Sequence, residues 1–261
     1  MPDAPDLPAA LQRIVIIGAT SMIAEHCARL WVEGARLDGD PCALVLVGRD
    51  AARLERVAAD LRVRNPGAGV EVRTVDFADR QAIRFLVDAI VRGGAPRQVL
   101  IAHGMLPDQA ACQRDLDAAC EALEVNGLSP VLFAEAFAGH MEAKGGVITV
   151  IGSVAGDRGR RSNYVYGAAK GLVARYVEGM QHRLAGSGSP LRVVLVKPGP
   201  TATPMTAHLP PRGLAPVDAV ACRIVQGSQA GTAVVYAPGK WALIMAVIRH
   251  LPAAVFNRMD I

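Results

Sequence analysis

A tyrosine and a lysine four positions apart are the residues of this sequence with the clearest chemical potential. Tyr166 and Lys170 lie in the segment SNYVYGAAK, which is predicted to be helical. Side chains at positions i and i+4 share one helix face, so the phenol and the ammonium are expected to converge. A free phenol has a pKa of about 10, and a neighbouring ammonium favours the phenolate and lowers that pKa. The pair therefore predicts a general acid/base that works near neutral pH.

Two further polar residues have positions that suit chemistry on a carbonyl group. Ser153 follows a buried-strand pattern, and the carboxyl ends of parallel strands open into the ligand crevice of such sheets. A hydroxyl there can bond a carbonyl oxygen and stabilise its developing charge. Asn126 interrupts a long helical run, where its side chain can break the backbone ladder and hold a water. Taken singly, each residue also fits a structural role. Tyr164 has no lysine four positions later and is not a candidate.

These residues must be positioned by a repeating pattern of strands and helices. Near-continuous Val/Ile/Leu runs are typical of parallel strands with helices on both faces. The predicted strands are Arg13–Ile17, Ala43–Val47, Val70–Val75, Gln98–Ala102, Val147–Ile151, Leu191–Val196 and Ala233–Tyr236. The predicted helices are Met22–Leu37, Ala51–Val63, Arg80–Arg92, Gln113–His140, Asn163–Leu184 and Pro216–Ser228. The alternation predicts an α/β fold: a Rossmann-type, doubly wound parallel sheet of about seven strands flanked by helices, in a single domain.

Three segments stand outside this alternation. Residues 1–12 are predicted to form an N-terminal extension to the domain, which spans residues 13–238. Residues 198–216 are rich in Pro, Thr and Gly and are predicted to form a substrate lid. Residues 239–261 form an amphipathic C-terminal tail.

Composition and charge exclude several functional classes. The 261 residues carry a formal net charge of +4, and no basic run is interleaved with aromatic residues, so no nucleic-acid partner is expected. The five cysteines form no CxxC pair and the histidines are scattered, which predicts no metal site and a reducing, cytoplasmic location. The first twelve residues contain two Asp and no Lys or Arg, unlike a secretory signal. No apolar run reaches the roughly 18–20 residues that span a bilayer.

The turn after the first predicted strand is a candidate phosphate-binding site. Small residues at a strand-to-helix turn let backbone N–H groups approach a pyrophosphate at the helix N-terminus. The residues concerned are Gly18, Thr20, Ser21, Met22 and Ile23. Only Gly18 is a glycine, so an ordinary strand-to-helix turn remains the alternative.

The end of the second strand bears on cofactor choice. An acid at this position binds a free ribose hydroxyl, whereas an arginine accommodates a 2′-phosphate. Arg49 is the first residue past the strand, with Asp50 behind it, which favours NADP(H) over NAD(H); the alternative is a solvated residue at a helix start. Asp76, after the third strand, is predicted to accept from an adenine amino group or to stabilise a turn.

Together, these residues resemble the short-chain dehydrogenase/reductase family over roughly residues 13–238. The matching positions are Gly18, Asp76, Asn126, Ser153, Tyr166, Lys170, Pro198, Gly199 and Thr203. The resemblance implies that Tyr166 is the general acid/base, that Lys170 also binds the nicotinamide ribose and that Ser153 polarises the substrate. It further implies a relay water on Asn126 and cofactor contacts from Pro198, Gly199, Thr201 and Thr203. The chain departs from the family pattern at Met22 and Ala24, and at Ala102-His103-Gly104.

A narrower resemblance concerns the loops around Tyr166 and Pro198 and the tail. They are similar to the reductases of decaprenylphosphoryl-ribose epimerisation, which implies a 2-keto-pentose substrate on a polyprenyl phosphate and a flavin-dependent oxidase partner. Guanidinium groups are natural partners of a phosphodiester, and three of them precede the catalytic helix: Arg158, Arg160 and Arg161. A solvated loop or a subunit contact is the alternative.

The tail and the long helices predict the remaining contacts. An amphipathic basic tail fits peripheral contact with the inner face of the membrane, or packing on protein. The long predicted helices Gln113–His140 and Asn163–Leu184 suit a homodimer or homotetramer. Rival functions are a reductase of a small soluble ketone or a steroid-like alcohol, a non-catalytic nucleotide-sensing subunit, and a membrane-bound scaffold that activates an oxidase.

Overall fold

A single parallel sheet forms the centre of the structure, a computed structural model that describes residues 12–259. The strand order is β3-β2-β1-β4-β5-β6-β7, which confirms the predicted seven-stranded, doubly wound sheet. The strands are β1 (Gln12–Ile17), β2 (Cys42–Gly48), β3 (Gly69–Thr74), β4 (Gln98–Ile101), β5 (Gly146–Ile151), β6 (Leu191–Pro198) and β7 (Val234–Ala237). Apart from Gln12, the predicted N-terminal extension lies outside the described residues.

Ten α-helices are found within residues 12–259, most of them packed on the two faces of the sheet. They are α1 (Met22–Asp38), α2 (Ala51–Arg64), α3 (Arg80–Arg92), α4 (Gln109–Arg114), α5 (Leu116–Leu123), α6 (Ser129–Met141), α7 (Tyr164–Gly186), α8 (Val217–Ala230), α9 (Lys240–His250) and α10 (Ala253–Phe256). None of the helices in this range combines the length and the apolar composition needed to traverse a bilayer.

The central strands are mostly apolar because both faces of the sheet are covered, whereas the edge strand β3 carries Glu71 and Arg73. In β1, Ile14 and Ile16 pack into the core beneath α1, α2 and α8, whereas Val15 and Ile17 pack into the core beneath α3, α6 and α7. All four side chains are at most 1% exposed. Successive residues of a strand point to opposite faces, so a strand buried on both sides needs an unbroken apolar run.

The predicted helix Gln113–His140 is wrong as a continuous element. The chain breaks at Asp115, whose carboxylate accepts hydrogen bonds from the backbone N–H groups of Asp117 and Ala118 and so starts the new helix α5. A π-helical turn over Glu124–Leu128 then separates α5 from α6. The side-chain cap at Asp115 therefore interrupts the chain despite the apolar periodicity that predicted one long helix.

The site is located by the point at which the strand order reverses. β1 pairs with β2 on one side and with β4 on the other. The connections leaving β1 and β4 run in opposite directions, so a crevice opens at the carboxyl ends of these strands. The turn at Gly18, the segment at His103 and the residue Ser153 after β5 all lie along this edge.

A buried ion pair connects β6 to the segment that follows Ser153. The Lys197 Nζ atom lies 2.6 Å from the carboxylate of Asp157, and both side chains are 3% exposed. The Tyr236 hydroxyl donates to the same carboxylate at 2.9 Å. Removing one partner of such a pair leaves an uncompensated buried charge.

We expect Lys197→Met to destabilise the protein by about 3–5 kcal/mol, because Asp157 stays buried without its counter-ion. Arg175→Met is the matched control, since Arg175 forms an exposed pair with Glu178; its loss should cost less than about 1 kcal/mol. Urea unfolding followed by circular dichroism measures both. Equal midpoints for the two variants would contradict the expectation.

Candidate active site

The four residues with predicted catalytic roles meet in one pocket at the carboxyl edge of the sheet. Ser153, Asn126, Tyr166 and Lys170 all line it. Ser153 ends the extended segment after β5, and its Oγ accepts from the N–H of Ala155 at 3.1 Å. Tyr166 and Lys170 lie in the first two turns of α7, with the Lys170 Nζ 5.9 Å from the centroid of the phenol ring. The four-residue spacing therefore brings both side chains to the same pocket as Ser153.

The electrostatics of this cluster differ from the expectation drawn from the Tyr-Lys pair. Burial raises the pKa of the Tyr166 phenol, and a hydrogen bond with Ser153 offsets part of that rise. Burial also lowers the pKa of Lys170 to about 8, while its Nζ donates to the carbonyl of Ile151 at 2.9 Å. The pKa of the phenol is therefore shifted in the direction opposite to the expected lowering, because desolvation of the phenolate is the largest cause. The phenol is consequently protonated at neutral pH.

Asn126 occupies the π-helical turn between α5 and α6. Its Nδ2 donates to the carbonyl of Ala122 at 2.9 Å, and its Oδ1 accepts from the N–H of Met105 at 2.8 Å. A Cβ on Gly104 would lie 2.9 Å from that Oδ1, so this close approach suits glycine. The side chain of Asn126 therefore connects the widened helical turn to the segment after β4 and fixes this wall of the pocket.

A second groove runs from the pocket along the turn after β1. The turn residues predicted to bind a cofactor line it: Gly18, Thr20, Ser21, Met22 and Ile23. Gly18 has φ +81°, and a Cβ there would lie 2.5 Å from the backbone nitrogen of His103. Because only glycine tolerates both conditions, the turn packs directly against the segment after β4. The groove then reaches the start of α1, where the free backbone N–H groups of a helix N-terminus suit an anion. The residues present thus fit the pyrophosphate of a dinucleotide.

The two acids near the far end of this groove are occupied by local structure. Asp50 caps α2 by accepting from the N–H of Arg53 at 3.0 Å. Asp76 is exposed, and its Oδ1 accepts from the N–H of Ala78 at 2.9 Å, so the turn role is the one observed. Arg49, Asp50 and Arg53 all line the groove near the end of β2, and Arg49 is the first of them in the chain.

An aromatic stack beside Arg49 was not anticipated from the sequence. The Arg49 guanidinium carbon lies 5.8 Å from the centroid of Phe77, and the Phe77 ring stacks on His103 at 4.3 Å. The His103 Nε2 lies 2.9 Å from the Ser129 Oγ. Burial, together with the charges of Lys170 and Arg49, lowers the pKa of His103 to about 3, so its imidazole is neutral. The departure from the family pattern at His103 was visible in the sequence, but its stacking partner was not.

The segment after β6 forms the opposite wall of the pocket. Pro198, Gly199, Thr201 and Thr203 all line it. The Thr201 hydroxyl donates to the carbonyl of Gly199 at 2.9 Å, and Thr201 pairs with Ala215 in an isolated parallel bridge that closes the predicted lid segment at its base. A Cβ on Gly199 would collide with the indole of Trp241, which brings the start of the tail against this wall.

The three arginines predicted to contact substrate separate in the structure. Arg158 lies against the tail: its Nη1 donates to the carbonyls of Ile248 at 2.7 Å and Leu251 at 2.6 Å, and its guanidinium stacks on Phe256. Its predicted substrate contact is therefore corrected to a contact that holds the end of α9. Arg160 lines the pocket, and Arg161 is exposed.

Comparison with solved structures agrees with this architecture. A short-chain dehydrogenase from Burkholderia cenocepacia in complex with NADP superimposes with a TM-score of 0.76 at 21% identity, covering 94% of this chain and 96% of that chain. A short-chain dehydrogenase from Sphingobium yanoikuyae in complex with NADPH gives a TM-score of 0.76 at 24% identity, covering 95% and 96%. At these identities the likeness is one of fold.

Sequence comparison identifies relatives over nearly the full length. An uncharacterized oxidoreductase from Streptomyces coelicolor is 31% identical over 251 residues, covering 94% of this chain and 95% of the relative. Another from Mycobacterium tuberculosis is 33% identical over 255 residues, covering 94% and 96%. The family model for short chain dehydrogenases matches residues 12–212. The chain is therefore an oxidoreductase that belongs to the short-chain dehydrogenase family.

Proposed function

We propose that this protein is an NADP(H)-dependent reductase that converts a carbonyl group to an alcohol. The observation that carries the proposal is the convergence of Ser153, Tyr166 and Lys170 in one pocket that continues into the groove at Gly18. Such a reaction needs a hydride donor, a proton donor and a group that stabilises negative charge on oxygen. Bound NADPH supplies the hydride.

The side chains divide the remaining work. Ser153 donates its hydroxyl hydrogen bond to the substrate oxygen and stabilises the charge that develops there. Tyr166 gives its phenolic proton to the same oxygen, and burial, which raises the pKa of the phenol, keeps that donor protonated. The Lys170 ammonium stabilises the phenolate left behind. Asn126 holds a relay water that returns the proton, and segment 198–216 closes over the substrate.

We expect Tyr166→Phe to lower kcat roughly 10²–10⁴-fold, because the substrate oxygen loses its proton donor. NADPH affinity should change little, as measured by fluorescence titration. Tyr164→Phe is the matched control, since Tyr164 lies in the same helix and is 45% exposed; it should retain normal turnover. Normal NADPH oxidation by Tyr166→Phe would contradict the proposed role, and a lack of any turnover by the unmodified protein would favour a purely nucleotide-sensing subunit.

The proposed preference for NADP(H) rests on the arginine at the end of β2. Asp50 already accepts from the N–H of Arg53 at the start of α2. Arg49 presents its guanidinium to the groove, beside the ring of Phe77. A guanidinium binds a phosphate by charge-assisted hydrogen bonds, so it suits the 2′-phosphate that distinguishes NADP(H) from NAD(H).

Arg49→Gln should weaken NADPH binding by roughly 10–100-fold and leave NADH binding nearly unchanged, because only the 2′-phosphate loses a charged partner. Arg56→Gln, on the exposed side of α2, is the control and should alter neither affinity. Titration of both cofactors with each variant measures the effect. An equal loss of affinity for NADPH and NADH would show that Arg49 does not bind the 2′-phosphate.

The finer proposal concerns the substrate, a 2-keto-pentose on a polyprenyl phosphate. The exposed apolar side chains of the tail support it: Leu243 is 74% exposed, Val247 57% and Val255 50%. Basic residues flank them, namely Lys240, Arg249 and Arg258. Such a surface suits the anionic inner face of a membrane, where a lipid-linked substrate resides. A homodimer or homotetramer and a flavin-dependent oxidase that forms the keto group complete this proposal; the rival is a reductase of a small soluble ketone.

The tail proposal predicts binding to vesicles that contain anionic phosphatidylglycerol. The double variant Leu243→Ser/Val247→Ser should sediment with them at least about tenfold less. It removes several carbon groups that enter the bilayer on binding, each of which contributes about 0.8 kcal/mol. Leu37→Ser, 75% exposed on α1, is the matched control. Equal sedimentation of the double variant and the unmodified protein would exclude the tail as the membrane contact and favour the soluble ketone.

A further inference from the structure

We propose that Arg160 and Asn163 form an oxyanion subsite in the substrate pocket. The carbonyl substrate then carries a phosphate, sulfonate or carboxylate group a short distance from the carbon that is reduced. This inference rests on the proposed reductase function, because it assigns the substrate class of that same pocket.

The charges that line the pocket are unbalanced. Among the described residues that line it, Arg160 and Lys170 are cationic, and no Asp or Glu is present. The Lys170 ammonium already donates to the carbonyl of Ile151. Within residues 12–259, no carboxylate lies within ion-pair distance of the Arg160 guanidinium. A partly buried guanidinium without an anion is unfavourable, so the pocket has an anionic partner to gain when substrate binds.

The partial desolvation of Arg160 affects the pKa of its guanidinium. Burial lowers the pKa of the guanidinium below its usual range, although it stays charged at every physiological pH. Water has therefore been partly removed from this cation before any substrate arrives. An oxyanion that enters the pocket meets a cation that has already lost part of its hydration, which strengthens the hydrogen bonds that it forms.

The loop that carries Arg160 is held in place by contacts of two residues that precede it. Asp157 is held by Lys197 and by Tyr236 in the buried ion-pair cluster. Arg158 is held by the carbonyls at the end of α9. Arg160 itself accepts, through its carbonyl, from the N–H of Asn163 at 3.2 Å. A cation on a fixed loop costs less conformational entropy to use than one on a free loop, so these anchors prepare Arg160 for binding.

Asn163 supplies the neutral half of the subsite. It precedes α7 and lines the same pocket, but its side chain makes no capping bond to the helix. Gln109 takes that role, because its Oε1 accepts from the N–H of Val165 at 3.0 Å. The Asn163 Oδ1 is buried and has no hydrogen-bond partner among the described residues. The unpaired oxygen can accept from a hydroxyl of the substrate, whereas the Nδ2 of the same amide is the donor that suits an oxyanion.

Two kinds of substrate offer this chemistry. One is the phosphodiester of a lipid-linked keto-sugar, and the other is a small soluble carbonyl compound with its own phosphate, sulfonate or carboxylate. The apolar residues Leu106, Met205 and Leu209 line the rest of the pocket and accommodate carbon in either case. The subsite requires the oxyanion and leaves its source to be determined by experiment.

The test compares matched carbonyl substrates with the full-length enzyme and NADPH. The soluble pair is D-glyceraldehyde 3-phosphate against neutral D-glyceraldehyde. The lipid pair is a polyprenyl-phosphate-linked 2-keto-pentose against the same keto-pentose without its lipid phosphate. For each pair, kcat/KM gives a preference ratio for the anionic member. We expect a ratio of about ten or more in at least one pair, and that pair identifies the source of the oxyanion.

Substitutions at Arg160 then assign the preference to this residue. Arg160→Met should reduce the ratio at least about tenfold, whereas Arg160→Lys should retain more of it because the charge remains. Arg84→Met, on the exposed face of α3, should leave the ratio unchanged. Asn163→Ala should reduce the ratio less than Arg160→Met, since it removes a neutral partner.

The outcomes separate the two proposals. Ratios near one, or a ratio that Arg160→Met leaves unchanged while NADPH is still oxidised, would overturn the subsite and leave the reductase standing. If the unmodified enzyme oxidised NADPH with none of the four carbonyl compounds, the reductase proposal would fail and the subsite with it.

Discussion

The burial of one ammonium group, that of Lys170, constrains everything built around it. Removing a cation from water costs free energy. Here a hydrogen bond to the Ile151 carbonyl offsets part of that desolvation, and burial still lowers the pKa of Lys170 to about 8. The helix that carries Lys170 must also approach its neighbours closely. A Cβ on Gly156 would lie 2.6 Å from the Lys170 backbone, and one on Gly127 would lie 3.2 Å from the Cα of Ala169. Two glycines thus let α7 approach the turn after Ser153 and the π-helical turn.

The same close packing explains why the phenol beside Lys170 holds its proton. Desolvation acts on both groups and favours the neutral form of each, so the phenol pKa rises while the ammonium pKa falls. Ser153 moderates the effect on Tyr166 through its hydrogen bond. A neutral phenol is a proton donor, and burial keeps Tyr166 in that form.

The walls of the pocket are held in place by contacts between residues that are far apart in the sequence. The ion pair of Asp157 with Lys197 ties the segment after β5 to β6, and Arg158 ties it to the end of α9. Trp241 brings the start of α9 against Gly199 on the opposite wall. The tail is consequently part of the structure that shapes the pocket, which gives any partner bound to its exposed apolar face a physical connection to the site.

The sequence alone establishes the succession of the seven strands, because burial on both faces of a parallel sheet requires apolar runs that are recognisable in the sequence. It also determined that Tyr166 and Lys170 share a helix face and that Ser153 ends a strand, since both follow from local periodicity. The tertiary structure was needed to show which arginine faces the pocket, since the partners of Arg158 lie some ninety residues away at Ile248. It likewise decided the stacking of Phe77 on His103 and the direction of the Tyr166 pKa shift. Those outcomes depend on desolvation and long-range contacts, which local sequence patterns do not encode.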